Sequence, residues 1–377
     1  MPGLLPNVDP DGLLEYSVVY TDRALNHMSA KFQGAMRDIS RILKSVYRAE
    51  AAIVVPGSGT FGMEAVARQF ATGKKCLVIR NGLFSYRWSQ IFEMGAIPSA
   101  TTVLKARRTA QAPQSPFIPA PIGEVVATIA AEKPDLVFAP HVETSSGMLL
   151  PDDYLRAVAE AVHGEGGMFV LDCVASGALW VDMAGLGIDI LVTAPQKGWS
   201  GPPCAGLVCL GATALSRLEA TASTSFALDL KKWLQIMQAY EKGGHAYHAT
   251  PPTDALVALR DVMREAEEFG FGKLRQAQIE LGGKVRQLLA DAGFKSVAAP
   301  GFEAPGVVVC YTDDADIQSG KKFAAQGLQT AAGVPLHCDE PADFRTFRIG
   351  LFGLDKLYAV ERTVATFATA LGKVLAH

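Results

Sequence analysis

The sequence predicts an α/β fold: a mostly parallel sheet covered by helices on both faces, followed by a smaller α+β domain. Three observations point there. Short, almost uncharged apolar runs alternate with helical periodicities through the first two thirds of the chain. Those runs read as strands buried on both faces, the mark of a parallel sheet. From about Met263 the texture changes to long polar helical patterns with weak strands between them.

Residues 51–56 form the first apolar run, and 63–71 carry Val66, Ala67 and Phe70 at helical spacing. Residues 76–79 are again strand-like. The Pro-rich stretch 111–121 predicts an extended surface loop, because the strand pattern resumes after it. A strand follows at 136–139, then a helix from Asp152, a good N-cap, through Val162. Further strands end at Asp172 and Val192, and another covers 206–210. The last third predicts a long helix over 263–292, strands at 307–311 and 347–351, and a closing helix over 355–375. This gives an N-terminal segment 1–22, a large domain 23–262 and a small domain 263–377.

At 377 residues and 49% hydrophobic content the chain exceeds the usual size of a single core. A net charge of −3 with scattered Lys and Arg offers no basic stripe, so no nucleic-acid partner is expected. Residues 1–11 lack the charged start and apolar core of a leader, and no stretch is long and apolar enough to span a bilayer. The expectation is a soluble, cytoplasmic protein. The six cysteines contain no C-x-x-C pair, so neither a metal site nor a disulfide framework is predicted. Most read as small buried hydrophobes; Cys338, beside His337 in a polar loop, reads as the exception.

In sheets of this kind ligands bind beyond the carboxyl ends of the strands, where the segments starting at Gly57, Asn81, His141, Asp172 and Thr193 gather. The literal G-x-G-x-x-G at 57–62 suggests a dinucleotide site. An Asp or Glu is then needed about 20 residues on for the ribose. Arg80 and Asn81 stand there instead, so only an NADP version using Arg80 survives. A helix start with Ser58 and Thr60 hydroxyls suits any single phosphate as well. Lys197 and Asp172, each after a buried strand and 25 positions apart, point to a pyridoxal phosphate enzyme. Such an enzyme needs an amine to condense with the aldehyde and a carboxylate to keep the pyridine nitrogen protonated.

Taken in order, Gly57-Ser58-Gly59-Thr60, Asn81-Gly82-Leu83-Phe84, residues 141–147, Asp172 to Ser176, Gln196-Lys197, residues 247–251 and Arg348-Ile349-Gly350 resemble the class V aminotransferases. The similarity is to pyridoxal phosphate enzymes of fold type I, nearest the alanine or serine and glyoxylate aminotransferases, and runs from about Leu25 to the C-terminus. The resemblance implies a seven-stranded, mostly parallel large-domain sheet and a ping-pong transamination. In it a small amino acid, alanine- or serine-like, gives its amino group to a 2-oxo acid such as glyoxylate or pyruvate. It implies that Lys197 holds pyridoxal 5'-phosphate as a covalent aldimine and shuttles the proton at the substrate Cα. Asp172 would meet the ring nitrogen, Phe84 would stack on the ring face, Thr144 would lie near the phenolic oxygen, and Val174 would also contact the cofactor. Ser58, Gly59, Thr60 and Gln196 would hold the phosphate, with Tyr247 and Thr250 reaching it from the other subunit of a homodimer. Arg348 would grip the substrate carboxylate with its planar fork.

The chain departs from the family near its start, where a Gly-Pro-Gly-Pro segment is common. Here 13–22 supply Glu15, Tyr16 and Tyr20 instead, which makes Tyr16 and Tyr20 candidates for substrate selection. The loop 335–344, with His337 and Asp339, is also unusual. Two other readings share the cofactor. One is a lyase, decarboxylase or racemase; the other is a cysteine desulfurase using Cys338, although Gln196 rather than histidine precedes the lysine. A non-enzymatic pyridoxal-binding regulator would need a fused partner domain.

Overall fold

A computed structural model describes residues 8–376; of the N-terminal segment 1–22, residues 1–7 lie outside that range. The chain runs α1 (Ala30–Tyr47), β1 (Ala51–Pro56), α2 (Gly59–Phe70), β2 (Lys75–Arg80), α3 (Leu83–Gly95), β3 (Ala100–Lys105), β4 (Arg107–Arg108) and β5 (Phe117–Ile118). It continues with α4 (Ile122–Glu132), β6 (Leu136–Pro140), β7 (Val142–Glu143), β8 (Met148–Leu149), α5 (Asp152–Gly164), β9 (Met168–Asp172), α6 (Met183–Leu186), β10 (Ile190–Thr193) and β11 (Ala205–Leu210). After α7 (Ala212–Leu218), α8 (Leu230–Glu241), α9 (Thr253–Phe269) and α10 (Phe271–Asp291) come β12 (Val307–Tyr311), α11 (Ala315–Gln318) and α12 (Lys321–Ala324). The last elements are β13 (Ala331–Ala332), β14 (Thr346–Gly350), α13 (Leu354–Tyr358) and α14 (Val360–Leu375).

Seven strands form the main sheet in the order β1-β11-β10-β9-β6-β2-β3. The pairs from β10 through β9, β6 and β2 to β3 are parallel, while β11 runs antiparallel to both β10 and β1. Every residue of β6, β9, β10 and β11 is buried, which is why their sequences read as unbroken apolar runs. A separate sheet, β12-β14-β13, packs with α10, α13 and α14 around a second core. Helix α9 joins the two cores: Leu256, Leu259 and Met263 belong to the first and Ala266 to the second, so residue 262 lies inside it. No helix among the described residues is long and apolar enough to cross a membrane.

Four expectations differ. The helix predicted over 263–292 is two helices parted at Gly270, whose φ of 104° only glycine adopts readily. The closing helix is broken at Ala359 (φ −140°, ψ 62°) into α13 and α14. Asp152 is the first helical residue and not the cap, because Pro151 holds that place. The Pro-rich stretch is not wholly loop either: Phe117 is buried, and β5 pairs with β4.

Candidate functional site

Loops at the carboxyl ends of β2, β6, β9 and β10 bring the predicted residues to one rim of the sheet. Helix α2 begins at Gly59, directly after Ser58, whose hydroxyl makes no capping bond to the helix. A Cβ on Gly59 would come 2.9 Å from Val174 Cγ2, and one on Gly62 would come 3.2 Å from the Cα of Gly206. These glycines therefore let α2 lie flat on β10 and β11. The dinucleotide reading fails on topology: β1 pairs only with β11, antiparallel, and is separated from β2 by four strands, so the strands either side of α2 are not neighbours and β1-α2-β2 is not the adjacent parallel βαβ unit that such a site needs. Arg80 is buried, donating to Ser89 Oγ at 2.8 Å under the ring of Tyr86.

Asp172 ends β9 and is buried. Its carboxylate accepts from Val174 N at 2.9 Å, its one hydrogen bond among the described residues, so the other oxygen is open. Burial pushes this carboxyl up to about 6, opposed by the Val174 N–H, Lys197 and Arg87. Lys197 follows β10 in the turn 194–200. Burial depresses its amine, against the pull of Asp172 and Glu143, and thereby enlarges the neutral, nucleophilic fraction. Its Nζ lies 5.4 Å from the Phe84 ring centroid and 5.9 Å from that of Phe352. Arg348, on β14, stands over the same Phe84 ring at 5.9 Å and donates Nε to Ala332 O at 2.8 Å. Its Nη atoms make no hydrogen bond among the described residues. Gln196, next to Lys197, is exposed.

Sequence reasoning missed two groups. Glu143 is fully buried and accepts from Phe84 N, Ser85 N, Ser85 Oγ, Ser145 N and Ser145 Oγ at 2.7–3.2 Å. It thereby caps α3 and fixes where Phe84 points. Arg87 donates from Nη1 to Thr60 Oγ1 at 3.0 Å and has Cζ 5.3 Å from the Phe84 centroid. Its place one helical turn beyond Phe84 was the available signal. Nearby, His141 Nδ1 meets Ser176 Oγ at 2.7 Å; burial, with Arg275, holds its pKa down to about 3, so the ring is neutral.

Tyr247 and Thr250 form a second group, with their hydroxyls 2.9 Å apart, and Tyr247 packs on His27 at 5.6 Å. Tyr20 joins them, donating to Pro251 O at 3.2 Å and packing on His27 at 5.7 Å. Tyr16 is 87% exposed. Within one chain, none of these four has a hydrogen bond or ring contact to Lys197, Phe84 or Arg348. Cys338 is not the exposed thiol its loop suggests: it is buried, with Sγ 3.4 Å from Arg80 O, and burial pushes it up to about 12. The loop 335–344 is held by Glu340, which accepts from Leu336 N, His337 N and Cys338 N, and by His337 stacked on Tyr86 at 4.4 Å.

The rim also carries buried polar atoms without partners: Thr144 Oγ1, Ser146 Oγ and both side-chain atoms of Asn81. Unmet buried groups of this kind are costly, and a bound polar molecule would relieve them. With the open oxygen of Asp172, the depressed Lys197 amine and the helix start at Gly59, they fit a flat, protonated heteroaromatic ring bearing an aldehyde and a phosphate. A sequence profile described as "Aminotransferase class-V" matches residues 13–346. The chain is 28% identical to a 2-aminoethylphosphonate–pyruvate transaminase of Pseudomonas aeruginosa over 339 residues, covering 88% of this chain and 85% of the relative. It is 27% identical to the alanine–glyoxylate aminotransferase of Oryctolagus cuniculus over 365 residues, covering 94% and 87%. The crystal structure of an alanine–glyoxylate aminotransferase from Nostoc sp. superposes with a TM-score of 0.77 at 21% identity, covering 93% of this chain and 88% of that one, which shows a shared fold. The chain therefore belongs to the class V aminotransferases, and its cofactor is pyridoxal 5'-phosphate.

Proposed function

We propose that this aminotransferase works as a cytoplasmic homodimer, moving an amino group from a small donor to a 2-oxo acid, with alanine and pyruvate as one of its two substrate couples. One observation carries the reading: the Lys197 amine and the free prongs of Arg348 stand over one ring, Phe84, at 5.4 and 5.9 Å. An acid–base group and a carboxylate clamp thereby share one aromatic ring as a common neighbour. The cofactor, when bound, supplies the electron sink that makes the substrate Cα proton acidic. Lys197 would take that proton from the substrate Cα and deliver it to the cofactor carbon on the other side of the transferred nitrogen, Asp172 would hold the ring nitrogen protonated, and Arg348 would fix the carboxylate so that the Cα–H bond faces the amine.

The alanine–pyruvate couple is common to both kinds of named relative, since one accepts an amino group on pyruvate and the other takes it from alanine. The choice of second partner rests with Tyr16, Tyr20 and the loop 335–344. The dimer is supported by Tyr247 and Thr250, exposed residues whose hydroxyls bond each other and have no contact with Lys197 in the same chain, and which would complete the other subunit's phosphate site. Free, buried thiols suit a reducing compartment.

Mixing the holoenzyme with alanine, serine, glycine, 2-aminoethylphosphonate and 2-aminoethanesulfonate in single turnovers tests the proposal. Alanine should bleach the visible absorbance and release pyruvate in equal amount. Ammonia released with pyruvate from serine would assign the site to a lyase, carbon dioxide to a decarboxylase, and sulfide with alanine from added cysteine to a desulfurase instead. Sedimentation of the active enzyme as a monomer would overturn the shared site.

A further inference from the structure

The phosphate of the cofactor brings about −1.5 to −2 charges at neutral pH. If it lies at the start of α2, the helix end offers only about half a positive charge. Ser58, Gly59, Thr60 and Gln196 are all neutral. Lys197 is committed to the other end of the cofactor. A second cation is needed, and one side chain reaches the loop: Arg87, whose Nη1 donates to Thr60 Oγ1 at 3.0 Å. Because the Thr60 oxygen accepts that bond, the Thr60 hydroxyl proton is free to point at the anion. Arg87 has no ion pair with any carboxylate among the described residues. It leaves α3 one turn after Phe84, with Cζ 5.3 Å from that ring, so it bridges the helix that carries the stacking residue and the loop proposed for the phosphate. Its charge is also felt at both Asp172 and Lys197, which places it inside the rim and not on the outer surface.

We infer that Arg87 is the intrachain counter-charge of the cofactor phosphate, bonding it directly and orienting the Thr60 hydroxyl toward it. The inference rests on the phosphate lying at Ser58–Thr60, as proposed from the sequence. It predicts that Arg87 distinguishes pyridoxal phosphate from pyridoxal, which shares the aldehyde and ring but lacks the phosphate.

The test is equilibrium binding of both compounds to apo-protein, followed by quenching of intrinsic fluorescence, for wild type, Arg87→Gln, Arg87→Lys and Thr60→Val. Arg87→Gln should weaken pyridoxal phosphate by roughly 10- to 100-fold, the scale of a charge-assisted hydrogen bond, and leave pyridoxal unchanged. Arg87→Lys should fall between, and should carry the test alone if the glutamine variant does not fold. Equal losses for the two compounds, or no loss for either, overturn the inference. So does an unchanged ratio accompanied by a raised KM for the amino acid, which would make Arg87 a substrate contact. Thr60→Val separates the failures. If it lowers only pyridoxal phosphate binding while Arg87→Gln does not, the phosphate is where we propose and Arg87 is not its partner. If neither variant changes the ratio, the phosphate site itself is misplaced.

Discussion

Lys197 Nζ and the Phe84 ring face each other at 5.4 Å, and Arg348 and Arg87 approach the same ring at 5.9 and 5.3 Å. Three cations around one aromatic ring repel one another, and the ring's quadrupole offsets only part of that. The site is thus set up to favour an uncharged lysine and to attract anions, which matches the demands of amino- and oxo-acid substrates. Replacement of Lys197 by Ala should abolish transamination by orders of magnitude while leaving the thermal midpoint of the apo-protein unchanged or raised, since a partly buried cation is removed. Steady-state assay and calorimetry check this; a variant with wild-type turnover would remove Lys197 from the mechanism.

Asp172→Asn should separate stability from catalysis. The buried carboxyl holds its proton more tightly in the folded chain, titrating at about 6 against an ordinary 3.8. Its ionisation therefore costs stability as pH rises through that window, and the full cost is present above about 6. Asparagine does not titrate and can still accept from Val174 N. The apo-variant should match wild type near pH 3.5 and gain up to about 3 kcal/mol at pH 7, taking about 1.4 kcal/mol per pKa unit as an upper limit. Cα proton removal should slow at the same pH. Urea titrations at several pH values decide the first half, and a pH-independent difference would contradict it.

Most strands of the main sheet were readable because strands buried on both faces leave short unbroken apolar runs such as Met168–Asp172. β3 was not, since Ala100–Lys105 is an edge strand with no fully buried residue. The break at Gly270 was hidden because one glycine within a polar helical pattern is ordinarily tolerated. Lys197 and Asp172 could be picked out because each follows or closes a buried strand, whereas Phe84, Thr144 and Arg348 were indicated only by the resemblance to the family. Glu143 and Arg87 escaped because their importance lies in partners 58 and 27 residues away, Ser85 and Thr60, and no local spacing encodes such pairs.

Glu143 should behave as a structural acid whose loss is felt at Phe84. Its two oxygens take hydrogen bonds from the first turn of α3 and from Ser145, so each accepts from several donors. Glu143→Gln turns one oxygen into a donor facing donors. The expected cost is about 2–3 kcal/mol of stability, the range for stranding buried polar groups. Cofactor affinity should fall alongside it. Chemical denaturation of the apo-variant checks this, and a change below about 0.5 kcal/mol would mean that the capping network is dispensable.

The two arginines near the end of the chain make opposite predictions. Arg348 is half-buried, and burial lowers its pKa against the pull of Glu143. With Nε tied to Ala332 O at 2.8 Å, its two Nη groups have no hydrogen-bond partner among the described residues. Arg345, three residues earlier, donates Nη1 to Asp313 O at 3.1 Å on an exposed face. Lysine in place of Arg348 keeps a charge but loses the Ala332 tether and the paired contact, so kcat/KM for carboxylate donors should fall by roughly 10- to 150-fold, equivalent to about 1.5–3 kcal/mol. Arg345→Lys should change it less than about threefold, the scale of an exposed contact. The measurement that discriminates is kcat/KM for alanine beside that for 2-aminoethylphosphonate, which lacks a carboxylate. If Arg348 grips the carboxylate, Arg348→Lys should penalise the first and should hurt the second only if its phosphonate uses the same fork. If Arg345→Lys does the greater damage with alanine, the carboxylate is held from the 335–344 loop side, and the role proposed for Arg348 falls.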